Sequence, residues 1–217
     1  MEIKVLQKVL DRNNDMAKAV RDTLAMHHVI MINMISSPGA GKTSLLEIIG
    51  AEMASRWRMA VIEGDVATDR DAQRLNRFGF PVILINTDGG CHLDSNSISI
   101  ALRELDLPKL DVIFVENVGN LVCPSHFDLG ENFKLAVVST TEGDDKPIKY
   151  PMLFREARAV VLNKTDLIPH TNFQSHQFLT DMNQINPDIP LFKVSCTTRT
   201  GIGDLLEWLS SCLAERS

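Results

Sequence analysis

From residue 29 onward the chain alternates short apolar runs with longer amphipathic stretches. The runs are Val29–Ile35, Ala60–Ile62, Val82–Ile85, Val112–Val115, Leu135–Val138, Ala159–Leu162 and Leu191–Val194. Continuous apolar runs of this length predict strands buried on both faces. Helical stretches between them predict βαβ units, hence an α/β fold with a mostly parallel sheet and helices on both faces. Ahead of the first run, Ile3, Leu6, Val9, Leu10, Ala17, Val20 and Leu24 recur at spacings near three and four, which predicts an N-terminal helical extension over residues 1–26. The polar triplet Asn13-Asn14-Asp15 is expected to interrupt it. Such a helix either covers the core or offers a docking surface. No repeat, low-complexity tract or long linker divides the 217 residues, so a single domain over 1–217 is expected.

Composition narrows the class. With 44% hydrophobic and 23% charged residues, and no apolar run near the ~20 residues of a bilayer span, the chain reads as a soluble protein with no membrane association. The opening Met1-Glu2-Ile3-Lys4-Val5 has no export signal, so a cytoplasmic location is expected. Four cysteines, Cys91, Cys123, Cys196 and Cys212, then read as thiols or metal ligands rather than disulfides. A net charge of −6 argues against a nucleic-acid surface, so any anionic ligand must be held locally.

The first run leads into Ser36-Ser37-Pro38-Gly39-Ala40-Gly41-Lys42-Thr43-Ser44 and a helical sequence. Strand, glycine loop and helix in this order make a phosphate-binding P-loop. Backbone N–H groups wrap the β-phosphate, Lys42 reaches the β/γ oxygens, and Thr43 offers its hydroxyl to Mg²⁺. Ser36 stands where the first glycine of this motif is usual. After the sixth run, Asn163-Lys164-Thr165-Asp166 falls where a guanine-recognition loop belongs. A carboxylate at Asp166 accepts from the guanine ring N–H and exocyclic amine, a paired donor edge that adenine lacks, so GTP is the expected nucleotide. Ser195-Cys196, in the turn after the last run, is the expected companion base contact.

The fourth run ends in Glu116-Asn117-Val118-Gly119. Glu116 is placed to hold a water on Mg²⁺, and the Gly119 N–H to sense the γ-phosphate. The second run ends in Glu63-Gly64-Asp65, from which Asp65 is favoured over Glu63 as a metal-binding or water-positioning group, with helix capping as its alternative. Asn120 rather than glutamine follows Gly119, so slow hydrolysis by an isolated subunit is expected. Cys91 and His92 follow the third run, and Cys123 follows the switch. All three lie past strand C-termini, where parallel sheets bind ligands, and two thiolates with one imidazole suit Ni²⁺ or Zn²⁺ in an open, transfer-type site. The alternative is that each is an ordinary buried Cys or loop His. Cys196 and Cys212 read as structural.

The segments Ser37–Thr43, Glu63–Asp65, Cys91–Asp94, Glu116–Pro124, Thr141–Asp145 and Asn163–Asp166 together resemble the HypB family of hydrogenase nickel-incorporation GTPases over essentially the whole chain. That resemblance implies a SIMIBI-type P-loop GTPase that dimerises with GTP and binds Ni²⁺ or Zn²⁺ through Cys91, His92 and Cys123. It also implies a HypA-type nickel/zinc accessory protein as partner and a nickel–iron hydrogenase large subunit precursor as recipient. The family's N-terminal Cys-x-x-Cys-Gly-Cys motif and histidine-rich tract have no counterpart in this sequence, so high-affinity or storage binding of nickel is not implied. Two rivals are a urease-type nickel GTPase, whose Cys-Pro-His motif is replaced here by Cys123-Pro124-Ser125-His126, and a metal-binding scaffold with vestigial GTP binding.

Overall fold

The computed structural model describes residues 4–65 and 70–215, and within them the side chains of 4–10, 65, 70 and 71 lie outside the description. Its strands are β1 (Ile30–Ser36), β2 (Met59–Asp65), β3 (Val82–Asn86), β4 (Val112–Glu116), β5 (Phe133–Ser139), β6 (Ala157–Asn163) and β7 (Leu191–Lys193). The main helices are α1 (Lys4–Met26), α2 (Lys42–Met53), α3 (Arg70–Asn76), α4 (Ser95–Arg103), α5 (Cys123–His126), α6 (Lys146–Lys149), α7 (Pro151–Glu156), α8 (Ser175–Ile185) and α9 (Ile202–Ala214).

All seven apolar runs form strands of one sheet, ordered β3-β2-β4-β1-β5-β6-β7, and every pairing is parallel. Residues along a strand alternate faces. On one face, Ile32 and Met34 of β1 and Phe114 of β4 pack with Leu45 and Ile49 of α2, Leu75 of α3 and Leu205 and Leu209 of α9. On the other, Met31 and Ile113 meet Val20 and Leu24 of α1 and Ile98 of α4, while Ile35 and Ala136 meet Phe154 of α7 and Phe178 of α8. Cys212 lies in the first of these clusters, a structural role as expected.

Two expectations need correction. The strands are not uniformly buried: β3 and β7, the sheet's edges, are only half covered, and Leu84 is exposed. Edge strands have a neighbour on one side only, so an apolar run there does not ensure burial. The Asn13-Asn14-Asp15 triplet also does not interrupt α1, which runs unbroken from Lys4 to Met26. Asn13, Ala17, Val20 and Leu24 are all buried, and this 4-3-4 spacing puts Asn13 on the helix's inner stripe. There its Nδ2 donates to the Asp128 carbonyl at 2.8 Å, and its Oδ1 accepts from the Ser95 N–H at 3.0 Å. Those bonds outweigh the tenths of a kcal/mol by which asparagine disfavours a helix interior. Of the two roles open to it, α1 takes the core-covering one for Ala17, Val20 and Leu24. The expected positions Ile3, Leu6, Val9 and Leu10 fall outside the described side chains.

Candidate functional site

The C-terminal ends of β1, β2 and β4 and the N-terminus of α2 enclose a cleft of about 560 Å³. Its lining includes Gly41, Lys42, Thr43, Ser44, Glu63, Glu116, Gly119 and Lys164. The loop from Ser36 to α2 turns through Gly39 (φ 75°) and Gly41 (φ 98°). Gly41 is needed twice over: its φ is left-handed, and a Cβ there would lie 2.4 Å from the Asn163 side-chain nitrogen. As the α2 N-cap, Gly41 supplies no side-chain bond, so the first N–H groups of that helix are left to an anion. Lys42 is buried and its Nζ donates to Ser36 Oγ at 2.7 Å. Ser36, the departure from the usual glycine, thereby anchors Lys42.

Thr43 Oγ1 donates to Glu116 Oε1 at 2.8 Å, joining the P-loop to the tip of β4. A hydroxyl and a carboxylate at that spacing are hard oxygen donors of the kind Mg²⁺ takes. Glu63, passed over in the sequence in favour of Asp65, is almost fully buried, lines the cleft and pairs in register with Glu116 across β2 and β4. Two carboxylates thus stand side by side there, a juxtaposition that only the strand register reveals. The Asp65 backbone closes β2 opposite Asn86, and its side chain lies outside the described residues, as does Thr68, the start of its capping alternative. Gly119 abuts the P-loop so closely that a Cβ would come within 2.9 Å of Pro38 Cα. Arg74, which sequence reading missed, also borders the cleft and donates to both Glu47 carboxylate oxygens.

The guanine-type loop packs directly on the phosphate loop. Asn163 Nδ2 donates to the Ala40 carbonyl at 2.9 Å and Lys164 Nζ to that of Gly39 at 2.7 Å. Asn163 Oδ1 accepts from the Lys164 N–H at 2.8 Å and the Cys196 N–H at 3.2 Å. Asn163 is therefore a brace between three loops. Ser195 is fully buried and its Oγ accepts from the Thr198 N–H, so it shapes the last turn. Burial raises the Cys196 thiol pKa. Asp166 Oδ1 is buried and has no hydrogen-bond partner.

Cys91, His92 and Cys123 converge: one ligand atom from each lies within 4.8 Å of the others, the one such cluster among the described residues. The Cys91 sulfur lies 3.4 Å from His92 Nδ1, and the His92 ring lies tilted against Phe127 with ring centroids 3.8 Å apart. The neighbouring Cys123 thiol raises the Cys91 pKa, while burial lowers that of His92 against the opposing pull of Asp94. A neutral imidazole and two thiols form a soft, half-exposed donor set with three positions, and a cation binding there displaces thiol protons. The elements explain the meeting. Asp94 caps α4, accepting from the Ser97 N–H at 2.7 Å, and so fixes where the Cys91–Leu93 loop ends; Cys123 opens α5 with Pro124 behind it.

Residues 29–193 match the family model described as "CobW/HypB/UreG, nucleotide-binding domain". The chain is 44% identical over 207 residues to the hydrogenase maturation factor HypB of Azotobacter vinelandii, covering 95% of this chain and 68% of that one. Its fold is similar to the crystal structure of HypB from Helicobacter pylori in complex with nickel, with a TM-score of 0.89 and 35% identity, covering 94% and 96% of the two chains. The signal recognition particle receptor FtsY of Elizabethkingia anophelis, 13% identical, shares the fold at a TM-score of 0.54 over 83% of this chain and 65% of that one. No helix among the described residues is long and apolar enough to cross a membrane.

Proposed function

The chain belongs to the HypB hydrogenase maturation factors of the CobW/HypB/UreG family, and on that premise we propose that it is a GTP-hydrolysing metallochaperone that carries nickel toward a nickel–iron hydrogenase. The observation that carries the proposal is the meeting of Cys91, His92 and Cys123 on segments that adjoin the phosphate cleft. Only Asn120-Leu121-Val122 separates Gly119, packed on the P-loop, from Cys123. Nickel, or zinc in its place, is the cargo of that site.

In this reading the backbone of Ser37, Pro38, Gly39, Ala40 and Gly41 and the α2 N-terminus, including Ser44, hold the β-phosphate, and Lys42 reaches the β/γ oxygens. Thr43 and Glu116 hold Mg²⁺, which neutralises charge on the β- and γ-phosphates when bound. Glu63 stands beside Glu116, and Asp65 at the end of β2 is the further acidic group for positioning water. Gly119 registers the γ-phosphate. Asp166 takes the guanine edge, while Asn163, Lys164, Ser195 and Cys196 hold the base pocket in shape. A GTP-dependent homodimer, a HypA-type accessory protein and the hydrogenase large subunit precursor complete the assembly, working in the cytoplasm.

A strain lacking its own HypB and supplied with this chain is expected to regain hydrogenase activity at trace nickel, and one supplied with Cys123→Ala only with added nickel. Purified protein is expected to release phosphate from GTP with Mg²⁺. No rescue by the wild-type chain despite phosphate release would overturn the metallochaperone role, and phosphate release no faster than buffer would leave only a scaffold.

A further inference from the structure

Behind the phosphate cleft, three buried polar side chains form a line across the sheet. Asn33 is fully buried in the middle of β1, Asn117 (1% exposed) follows β4, and Glu131 (7% exposed) precedes β5. Asn117 Nδ2 donates to Asn33 Oδ1 at 3.1 Å, and Asn33 Nδ2 donates to Glu131 Oε1 at 3.2 Å. Glu131 Oε2 in turn accepts from the Leu129 N–H at 2.7 Å. The Asn117 backbone N–H continues the ladder to the Met34 carbonyl. The Asn117 amide is thus held at one end by a chain of bonds that reaches through the core, and its orientation is set by that chain.

Its other end carries two loads. Asn117 Oδ1 accepts from the Val118 N–H at 2.9 Å and from the Leu93 N–H at 3.1 Å. Val118 is the residue before Gly119, which packs on Pro38 of the P-loop. Leu93 is the residue after His92, and its side chain closes over Gly64, where a Cβ would sit 2.7 Å from Leu93 Cγ. One carbonyl oxygen therefore bonds both the segment packed on the P-loop and the loop that carries Cys91 and His92. The third ligand, Cys123, is joined to the same segment through the chain.

Resting on the metallochaperone reading above, we propose that Asn117 is a positioning residue that couples nucleotide state to the metal cargo, holding the Cys91–His92 loop and the γ-phosphate sensor on a single side-chain acceptor. A shift of Val118-Gly119 between nucleotide states changes the bond that Oδ1 shares with Leu93, so His92 and Cys91 respond as well as Cys123. Without Asn117 the two halves of the ligand set lose their common reference. Cys123 still follows Gly119, but the Cys91–His92 loop no longer answers to it.

The test is nickel titration of wild type and Asn117→Ala, each saturated with GDP or a non-hydrolysable GTP analogue, with nucleotide occupancy checked after each run. The thiolate-to-nickel charge-transfer absorption is recorded alongside. Wild type is expected to show nickel affinities differing between the two states by about 5- to 150-fold, the range of ordinary allosteric coupling. In Asn117→Ala the ratio falls to within about twofold of unity and the two spectra coincide, while nickel still binds. A uniform loss of affinity with the ratio preserved would mark a merely structural role and overturn the proposal. Should Asn117→Ala not fold, Asn117→Leu decides in its place, since it keeps the same branched side-chain shape but lacks the Oδ1 acceptor of the Val118 and Leu93 N–H groups. A ratio kept at the wild-type value there overturns the proposal, and a reduced one supports it. Equal affinities in both states of the wild type remove the nucleotide-to-metal link, and Asn117's role goes with it. A wild-type difference that survives both substitutions leaves the link standing and rejects only Asn117.

Discussion

Asp166 presents a buried carboxylate oxygen with no hydrogen-bond partner, a condition that costs about 1–3 kcal/mol until a donor reaches it. The guanine N–H edge is such a donor, so Asp166→Asn should weaken GTP by ~2–4 kcal/mol and improve xanthosine triphosphate in a competition titration. A retained preference for GTP would remove Asp166 from the base site. Glu131 sets a pH dependence. Burial raises its carboxyl pKa, against weaker opposing pulls that include the bond from Asn33. Folding then favours the protonated form, whose contribution is full below the unfolded value near pH ~4.3 and is lost as pH rises through the raised one. Glu131→Gln lacks that loss, so its urea midpoint relative to wild type should climb over the same rise in pH. A flat difference would contradict the raised value. At this scale the P-loop and the guanine loop were legible because each is a contiguous string whose chemistry depends on its own backbone. Glu63 beside Glu116 and the Asn33–Asn117–Glu131 line were not, because their partners are far apart along the chain and meet only through strand register. The candidate metal cluster Cys91–His92–Cys123 falls between these cases: its residue types were readable, and their meeting was an inference from where strands end.

Among the elements, α1 shows local propensity overruled. Asn13 reads as a helix breaker in isolation, yet its side chain bonds Asp128 and Ser95 and ties α1 to α4 and to the segment before β5. Asn13→Ala improves intrinsic helix propensity by at most ~0.7 kcal/mol but strands a buried N–H and carbonyl, at about 1–3 kcal/mol. The lost bonds outweigh the gain in propensity, so urea denaturation should show a net destabilisation of roughly 1–2 kcal/mol. Unchanged or higher stability would mean that these bonds do not hold α1 in place. The edges β3 and β7 make the complementary point: their apolar runs announced strands correctly but said nothing of which strands end the sheet, because strand order depends on crossovers rather than on residue type.

For the molecule as a whole, the proposed dimer calls for apolar side chains still open to solvent. Ile148 of α6 is 57% exposed and Val122, beside Cys123, is 48% exposed, on segments that leave the C-terminal ends of β5 and β4. Lys146 Nζ donates to the Glu142 carbonyl, and Lys149 pairs with Asp145 at 2.5 Å, so neither lysine reaches a second subunit without leaving an internal contact. Gel filtration should shift the protein toward dimer with a non-hydrolysable GTP analogue, and a monomer at every concentration would count against it. The strand order also governs birth on the ribosome. β1 is made first yet lies at the centre, between β4 and β5, and Ile30 pairs with Val112, about 80 residues later. At about 5–20 residues per second, that leaves the strand leading into the phosphate loop without its neighbours for on the order of 4–16 s. Arrested nascent chains ending before β4 should therefore be protease-sensitive and hold no nucleotide. GTP cannot chaperone its own binding site into being, and a chain this apolar at its first strand depends in that interval on whatever shelters it at the ribosome.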